Sequence, residues 1–260
     1  MTLRGVVLDV DGTVVRGDTP IPGAREGLDA LDAAGLRRLF VSNNPTKPPV
    51  AYEERLARAG FQVDAEEVVT AGTVTCAYLV ERHGDDDVFV IGESGLVELL
   101  TEADLSLVDA PEDADTVVVS IDRGFTYDDL CAALWGLADE TVTFVGTDPD
   151  MVIPAAERNV PGSGAVIHAV SGVTGRDPDI VLGKPSDFAR DMILDRLGVP
   201  AAECLVVGDR LDTDIALGAR SGMTTALVRT GVTDDRTLAE SEFEPDYVFD
   251  SLAEVERLLG

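Results

Sequence analysis

The sequence is poor in cations, aromatic rings, histidine and cysteine, and each shortage excludes something. Twenty Lys and Arg face 49 Asp and Glu, a formal charge of −29. Such a surface repels phosphate backbones, which excludes nucleic acid as a partner. The acids sit in short clusters such as Asp85-Asp86-Asp87 and Glu112-Asp113-Ala114-Asp115, and arginine far outnumbers lysine. This pattern reads as a solvated surface adapted to high salt, where self-repulsion is screened, and predicts a halophilic protein. The three cysteines, Cys76, Cys131 and Cys204, are widely spaced and form no CxxC pair. That argues against a disulfide framework or a cysteine zinc site and predicts reduced thiols. His83 and His168 stand in no metal or triad spacing and are read as structural or surface groups. No apolar run approaches the roughly 20 residues that span a bilayer. The N-terminus enters a strand and reaches Asp9 too early for a signal-peptide pattern. The expectation is a cytoplasmic protein with no membrane partner.

What is present is aliphatic and regular. Aromatics make up 5% of the 260 residues, which suits an α/β protein better than an aromatic-rich β sandwich. Strand-like runs (Gly5 to Asp9, Leu36 to Val41, Cys204 to Val207, Thr224 to Val228) alternate with helix-like ones. Leu28 and Leu31 lie at helical spacing before Gly35. A helix follows Pro48-Pro49 up to Gly60. Ser186 can cap a helix that holds Phe188, Ile193 and Leu197 and stops at Gly198. Asp212 to Arg220 reads as a helix. The middle repeats the alternation with Val88 to Ile91, Leu96 to Leu100, Thr116 to Ser120, Leu130 to Ala138 and Val142 to Val145. This predicts an α/β fold with a parallel sheet flanked by helices. The hydrophilic junctions His83 to Asp87 and Gly172 to Asp179 predict a second α/β unit, about 83–178, inserted into the first.

Four polar stretches leave apolar strands at what would be their carboxyl ends, where open α/β sheets bind ligands. They are Asp9-Val10-Asp11-Gly12-Thr13, Ser42-Asn43-Asn44, Gly183-Lys184-Pro185, and Gly208-Asp209-Arg210-Leu211-Asp212-Thr213-Asp214. A buried strand normally excludes carboxylates, so Asp9 and Asp11 demand a partner for their charge. A phosphate monoester repels an anionic nucleophile, and Mg²⁺ removes that repulsion; it takes oxygen ligands, commonly one or two carboxylates with water and phosphate. Asp9 and Asp209 are the natural carboxylate ligands. Lys184 adds a fixed charge for phosphoryl oxygens, and Ser42 and the Asn43 amide can bind the same oxygens. Of Asp9 and Asp11, one suits a metal-bound nucleophile and the other a proton donor to the leaving alcohol. Gly12 lets the chain turn so that both side chains can face one small volume.

Competing motifs fail. An EF-hand counted from Asp9 would need glycine and glutamate where Val14 and Pro20 stand. Gly162-Ser163-Gly164 has Ile167 in place of the third glycine of a dinucleotide fingerprint. Gly92-Glu93-Ser94-Gly95 lacks the glycine of a serine elbow, having Leu96. Gly183-Lys184-Pro185-Ser186 lacks the upstream glycine of a P-loop.

The four stretches together resemble the four motifs of the haloacid dehalogenase superfamily, with DVDGT in its phosphatase form. VSNN, GTDPD (146–150), GSGA, GKPS and GDRLDTDI, with the insertion, resemble its NagD-type, p-nitrophenylphosphatase-like branch. The resemblance runs over nearly the whole chain. It implies a Rossmann-like three-layer core (1–82 and 179–260) with a large α/β cap (83–178). It also implies a Mg²⁺-dependent phosphatase that hydrolyses monoesters of small phosphorylated metabolites through an aspartyl-phosphate. By position, Asp9 is implied as nucleophile and metal ligand, and Asp11 as acid/base whose backbone carbonyl also binds metal. Ser42 and Asn43 are implied to bind phosphate, Lys184 to balance charge, Asp209 to bind metal and Asp214 to support the metal's water shell or ligate it. Where that branch often has Asn-Pro-Asp, this chain has Asp148-Pro149-Asp150, which is expected to add a negative charge near the substrate entry. Two alternatives stay open: a phosphotransferase or phosphomutase using the same phospho-aspartate, and a non-catalytic metabolite-binding protein. The sequence is compatible with either a monomer or a homo-oligomer.

Overall fold

The computed structural model describes residues 2–154 and 158–259. The chain divides into two compact units, one of residues 1–42, 49–69 and 184–260, the other of residues 43–48 and 70–183.

The first unit is built on a six-stranded sheet in the order Tyr247–Phe249, Thr224–Val228, Cys204–Gly208, Gly5–Asp9, Arg37–Ser42, Val68–Thr70. The first five run parallel. The two central strands Gly5–Asp9 and Cys204–Gly208 are near-continuous aliphatic runs, as expected where both faces of a parallel sheet are covered. All five residues of Gly5–Asp9 are buried, as are all five of Cys204–Gly208. The core packs Val6, Leu8, Phe40, Leu205 and Val207 against Leu28 and Leu31 of the helix Ala24–Ala33 and Tyr52 and Leu56 of the helix Pro49–Arg58. The strand Gly5–Asp9 lies between Arg37–Ser42 and Cys204–Gly208, so the sheet is entered at its middle and extended to either side. At such a switch point the loops leaving adjacent strands part and open a crevice beyond their carboxyl ends.

The second unit has its own five-stranded parallel sheet, ordered Ile180–Val181, Thr143–Gly146, Thr116–Val119, Asp87–Ile91, Ser106–Leu107. Its core gathers Ile91, Val117, Val119, Ala133, Phe144, Ile167 and Val170.

Two elements differ from the sequence reading. The segment 212–220 is not one regular helix. It opens with a wide turn, Leu211–Ile215, and becomes α-helical only over Ala216–Ser221. Widened turns of this kind concentrate at functional sites, and here the turn carries Asp214 back to the strand end: its Oδ2 accepts from the Arg210 amide at 3.1 Å. The segment after Gly162 is a helix, Ser163–Thr174, preceded by the short strand Val160–Pro161. Its small residues hid it: Gly164 packs on the Pro149 carbonyl so closely that a Cβ would sit 2.4 Å away.

Candidate active site

Two strand ends of the first unit, with the wide turn that follows one of them, converge on one buried cluster of charge. Asp9 ends its strand, Asp209 follows Gly208, and Asp214 sits on the wide turn. Each offers a carboxylate oxygen, and these oxygens lie within 4.8 Å of one another. Lys184, one of two lysines in the chain, joins them. Its ammonium donates to Asp9 Oδ1 and Asp214 Oδ1 at 2.7 Å each and to the Val41 carbonyl at 2.8 Å, using all three protons. Its side chain is 3% exposed and that of Asp214 1%. The second oxygen of Asp9 accepts from the Thr13 hydroxyl at 3.3 Å. Gly208 leaves room for Asp214: a Cβ there would lie 2.2 Å from its carboxyl carbon.

One lysine cannot balance three buried carboxylates. Burial pushes Asp9 well above the usual carboxylate range, Lys184 pulls it back, and Asp214 and Asp209 push it up again. Burial and Asp214 likewise lift Asp209, to about 7. Burial alone would make Lys184 easier to deprotonate, but Asp214 and Asp9 more than reverse this and hold it firmly charged. Asp209 Oδ1 is the one buried side-chain oxygen or nitrogen without a hydrogen-bond partner among the described residues. An all-oxygen pocket with excess negative charge and an orphaned carboxylate oxygen fits a hard divalent cation such as Mg²⁺.

Asp11 does not join this cluster, contrary to the sequence expectation that Gly12 turns both carboxylates into one volume. Its side chain is 53% exposed and bound in a fork by Arg55, Nη1 to Oδ2 at 3.0 Å and Nη2 to Oδ1 at 2.5 Å. Arg55 is held in turn by the Gly17 carbonyl, 2.9 Å from its Nε. The positive φ of Gly12, 97°, instead serves a close approach: a Cβ there would lie 2.5 Å from Asp209 Oδ2. Ser42 is buried at the end of its strand, its hydroxyl 2.7 Å from that of Tyr52. Asn43 belongs by its contacts to the second unit, where its side-chain amide donates to Asp150 Oδ1 at 3.4 Å. Thr13, Tyr52 and Arg55 were not singled out by sequence. Only Thr13 carried a signal, as the last residue of DVDGT.

Asp148 is not a surface charge. It is 1% exposed, within reach of Thr147 Oγ1 (3.1 Å) and the Asp150 amide (3.2 Å), and burial together with Asp150 raises it to about 8. Burial therefore favours its neutral form, which is close in shape to the asparagine often found there in the branch that the sequence resembles. Both histidines make local contacts: His83 Nδ1 lies 2.9 Å from Asp86 Oδ2, and His168 Nδ1 lies 2.7 Å from the Gly164 carbonyl.

A parallel sheet with a lysine-bridged carboxylate cluster at its switch point is the arrangement of a haloacid dehalogenase-like hydrolase, and the chain belongs to that family. The family's haloacid dehalogenase-like hydrolase model matches residues 6–106, and a second, HAD-hydrolase-like model matches residues 181–255. Within the family it falls in the NagD-type, p-nitrophenylphosphatase-like branch. It is 36% identical over 251 residues to the acid sugar phosphatase of Staphylococcus aureus, covering 96% of both chains. The structure of a p-nitrophenyl phosphatase from Archaeoglobus fulgidus superposes with a TM-score of 0.92 at 35% identity, over 99% of this chain and 100% of that one. NagD from Escherichia coli K-12 superposes at 0.86 with 28% identity, over 98% of each.

Proposed function

We propose that the chain is a Mg²⁺-dependent phosphatase that hydrolyses phosphate monoesters of small metabolites through a phosphorylated Asp9. The observation that carries this reading is the buried cluster of Asp9, Asp209 and Asp214 around Lys184, with its surplus of negative charge and the unpaired Asp209 Oδ1. Asp9, Asp209, Asp214 and the Asp11 backbone carbonyl would hold the metal. When bound, Mg²⁺ neutralises phosphoryl oxygen charge and so admits an anionic nucleophile. Asp9 is the nucleophile: one of its oxygens bonds to phosphorus as the bond to the leaving alcohol breaks. Lys184 fixes the Asp9 rotamer and sets a positive charge beside the phosphoryl oxygens. Ser42 and the Asn43 amide bind those oxygens. Asp11, protonated once it leaves Arg55, gives its proton to the departing alkoxide and becomes a carboxylate. It then takes a proton from the water that attacks the phosphorus of phospho-Asp9, which releases phosphate and restores the Asp9 carboxylate and the protonated Asp11. The inserted segment, expected at 83–178, acts as a cap that selects the leaving group and shields the intermediate.

The names of the relatives favour small phosphorylated substrates, sugar phosphates among them. Asp9→Asn is expected to lower phosphate release from p-nitrophenyl phosphate by on the order of 10³-fold or more while leaving the circular dichroism spectrum intact. Near-normal turnover in that variant removes Asp9 as nucleophile. Adding an acceptor alcohol separates hydrolysis from phosphotransfer: a hydrolase releases phosphate at an unchanged rate and forms no new ester.

A further inference from the structure

The loop Thr230–Thr233 encloses Asp209 from the side opposite the carboxylate cluster's orphaned oxygen. Four contacts define it. The Val232 amide donates to Asp209 Oδ2 at 2.8 Å. The Thr233 hydroxyl donates to the Asp209 backbone carbonyl at 2.6 Å. Gly231 passes so close that a Cβ there would sit 1.7 Å from Oδ2 and 2.2 Å from the carboxyl carbon. The Thr230 hydroxyl donates to the Gly12 carbonyl at 2.6 Å, and Gly12 closes on the same Oδ2 from the other loop. Two glycines from loops more than 200 residues apart in sequence thus sandwich one carboxylate oxygen. The result is asymmetric: Oδ2 is caged and hydrogen-bonded, while Oδ1 is buried with no partner.

We infer that the loop Thr230–Thr233 is a positioning clamp that fixes the rotamer of Asp209 so that Oδ1 alone is presented to the divalent cation. This rests on the metal reading of the cluster proposed above. A free carboxylate can rotate and offer either oxygen or both. Here rotation would break the Val232 hydrogen bond and drive an oxygen into the backbone of Gly12 or Gly231. The Thr230 bond adds a second function, since it ties the clamp to the loop that carries Asp11. Hydrogen bonds of this outer kind orient ligands and typically contribute about 10–100-fold in metal affinity.

The test is Mg²⁺ affinity, measured by isothermal titration calorimetry and by the rise in melting temperature with added Mg²⁺, without substrate. Gly231→Ala puts a methyl group where Asp209 lies. Thr233→Val removes one hydroxyl and keeps the shape, so it covers the case in which the alanine variant does not fold. The clamp predicts that Gly231→Ala weakens Mg²⁺ binding about 10–100-fold and that Thr233→Val weakens it by a smaller factor, with circular dichroism of the metal-free Thr233→Val protein unchanged. Wild-type affinity in a folded Gly231→Ala protein, or in Thr233→Val where the other does not fold, overturns the clamp alone. Absence of Mg²⁺ binding by the unaltered protein overturns the metal reading and the clamp with it.

Discussion

Among the described residues, acidic groups are buried in two places and treated in opposite ways. In the first unit Asp9, Asp209 and Asp214 surround an ammonium that reaches two of them at 2.7 Å. In the second unit Asp148 is buried as deeply, yet no cation pairs with it among the described residues; its neighbours are Thr147, Ser163 and the acidic Asp150. An ionised carboxylate without a partner is very costly in a dry interior, so an isolated one takes up a proton. Asp148, raised to about 8, does so and acts as a hydrogen-bonding neutral group. In the first cluster Lys184 pulls Asp9 and Asp209 back toward the ionised form, yet burial and the neighbouring carboxylates still raise both, so the cluster remains short of positive charge. The contrast separates a packing acid from a binding acid: both are buried, but only one is built to attract a cation.

Removing the lysine should break that distinction most severely. Lys184→Met leaves three carboxylates with no internal counterion, and breaking a buried pair by deleting one partner costs about 3–5 kcal/mol. Urea unfolding at pH 7 should show a loss of that size, smaller at pH 5, where the unpaired carboxylates can be protonated in the folded state. A loss under about 1 kcal/mol would mean that the cluster behaves as though exposed, and the contrast with Asp148 would vanish.

The second region is tested by making its neutrality permanent. The folded-state value of Asp148, about 8, lies above the ordinary 3.8, so the unfolded chain ionises first as pH rises. Asp148 therefore subtracts stability progressively from about pH 4 to pH 8 and then levels off. Asp148→Asn removes that linkage. It should match the parent at pH 4 and exceed it by about 1–3 kcal/mol at pH 8, read as a flatter dependence of unfolding free energy on pH. Equal slopes in the two proteins would show that Asp148 is ionised in the fold.

How much of this was legible in the sequence follows from range. Asp9 and Asp209 could be read because each stands at a strand end, and a run such as VVLD or LVVGD announces both the strand and the polar break; Lys184 comes three residues after Ile180–Val181, a strand of the other sheet. Asp214 needed more than periodicity: the wide turn Leu211–Ile215 brings it back to the strand end. Asp148 was read as an added negative charge because its sequence neighbours do not reveal burial, which comes with partners as distant as Ser163. The loop beginning at Thr230 carries no charge signal at all, since its contribution is made by an amide, two hydroxyls and a missing side chain. Asp11 was placed by its nearest neighbours in sequence, whereas its partner lies 44 residues away on the helix Pro49–Arg58.

That last pair offers the mildest test, an exposed counterpart to the two buried clusters. Arg55 grips Asp11 in a fork, but Asp11 is half exposed, and pairs of this kind contribute at most about 1 kcal/mol. Arg55→Met keeps an apolar stem against the Tyr52 ring, over which the guanidinium carbon lies at 5.8 Å, and removes only the charge. Unfolding free energy should fall by less than about 1 kcal/mol. The kinetic effect should be selective. An alkyl phosphate needs a proton on its leaving oxygen, while p-nitrophenolate departs without one, so releasing Asp11 from Arg55 should raise the ratio of alkyl to aryl turnover by about 2–5-fold, the population factor that corresponds to 0.5–1 kcal/mol. If that ratio stays constant while both rates change together, the fork holds the loop at Gly17 and has no part in proton transfer. Asp11 would then reach its substrate equally well with or without its surface partner.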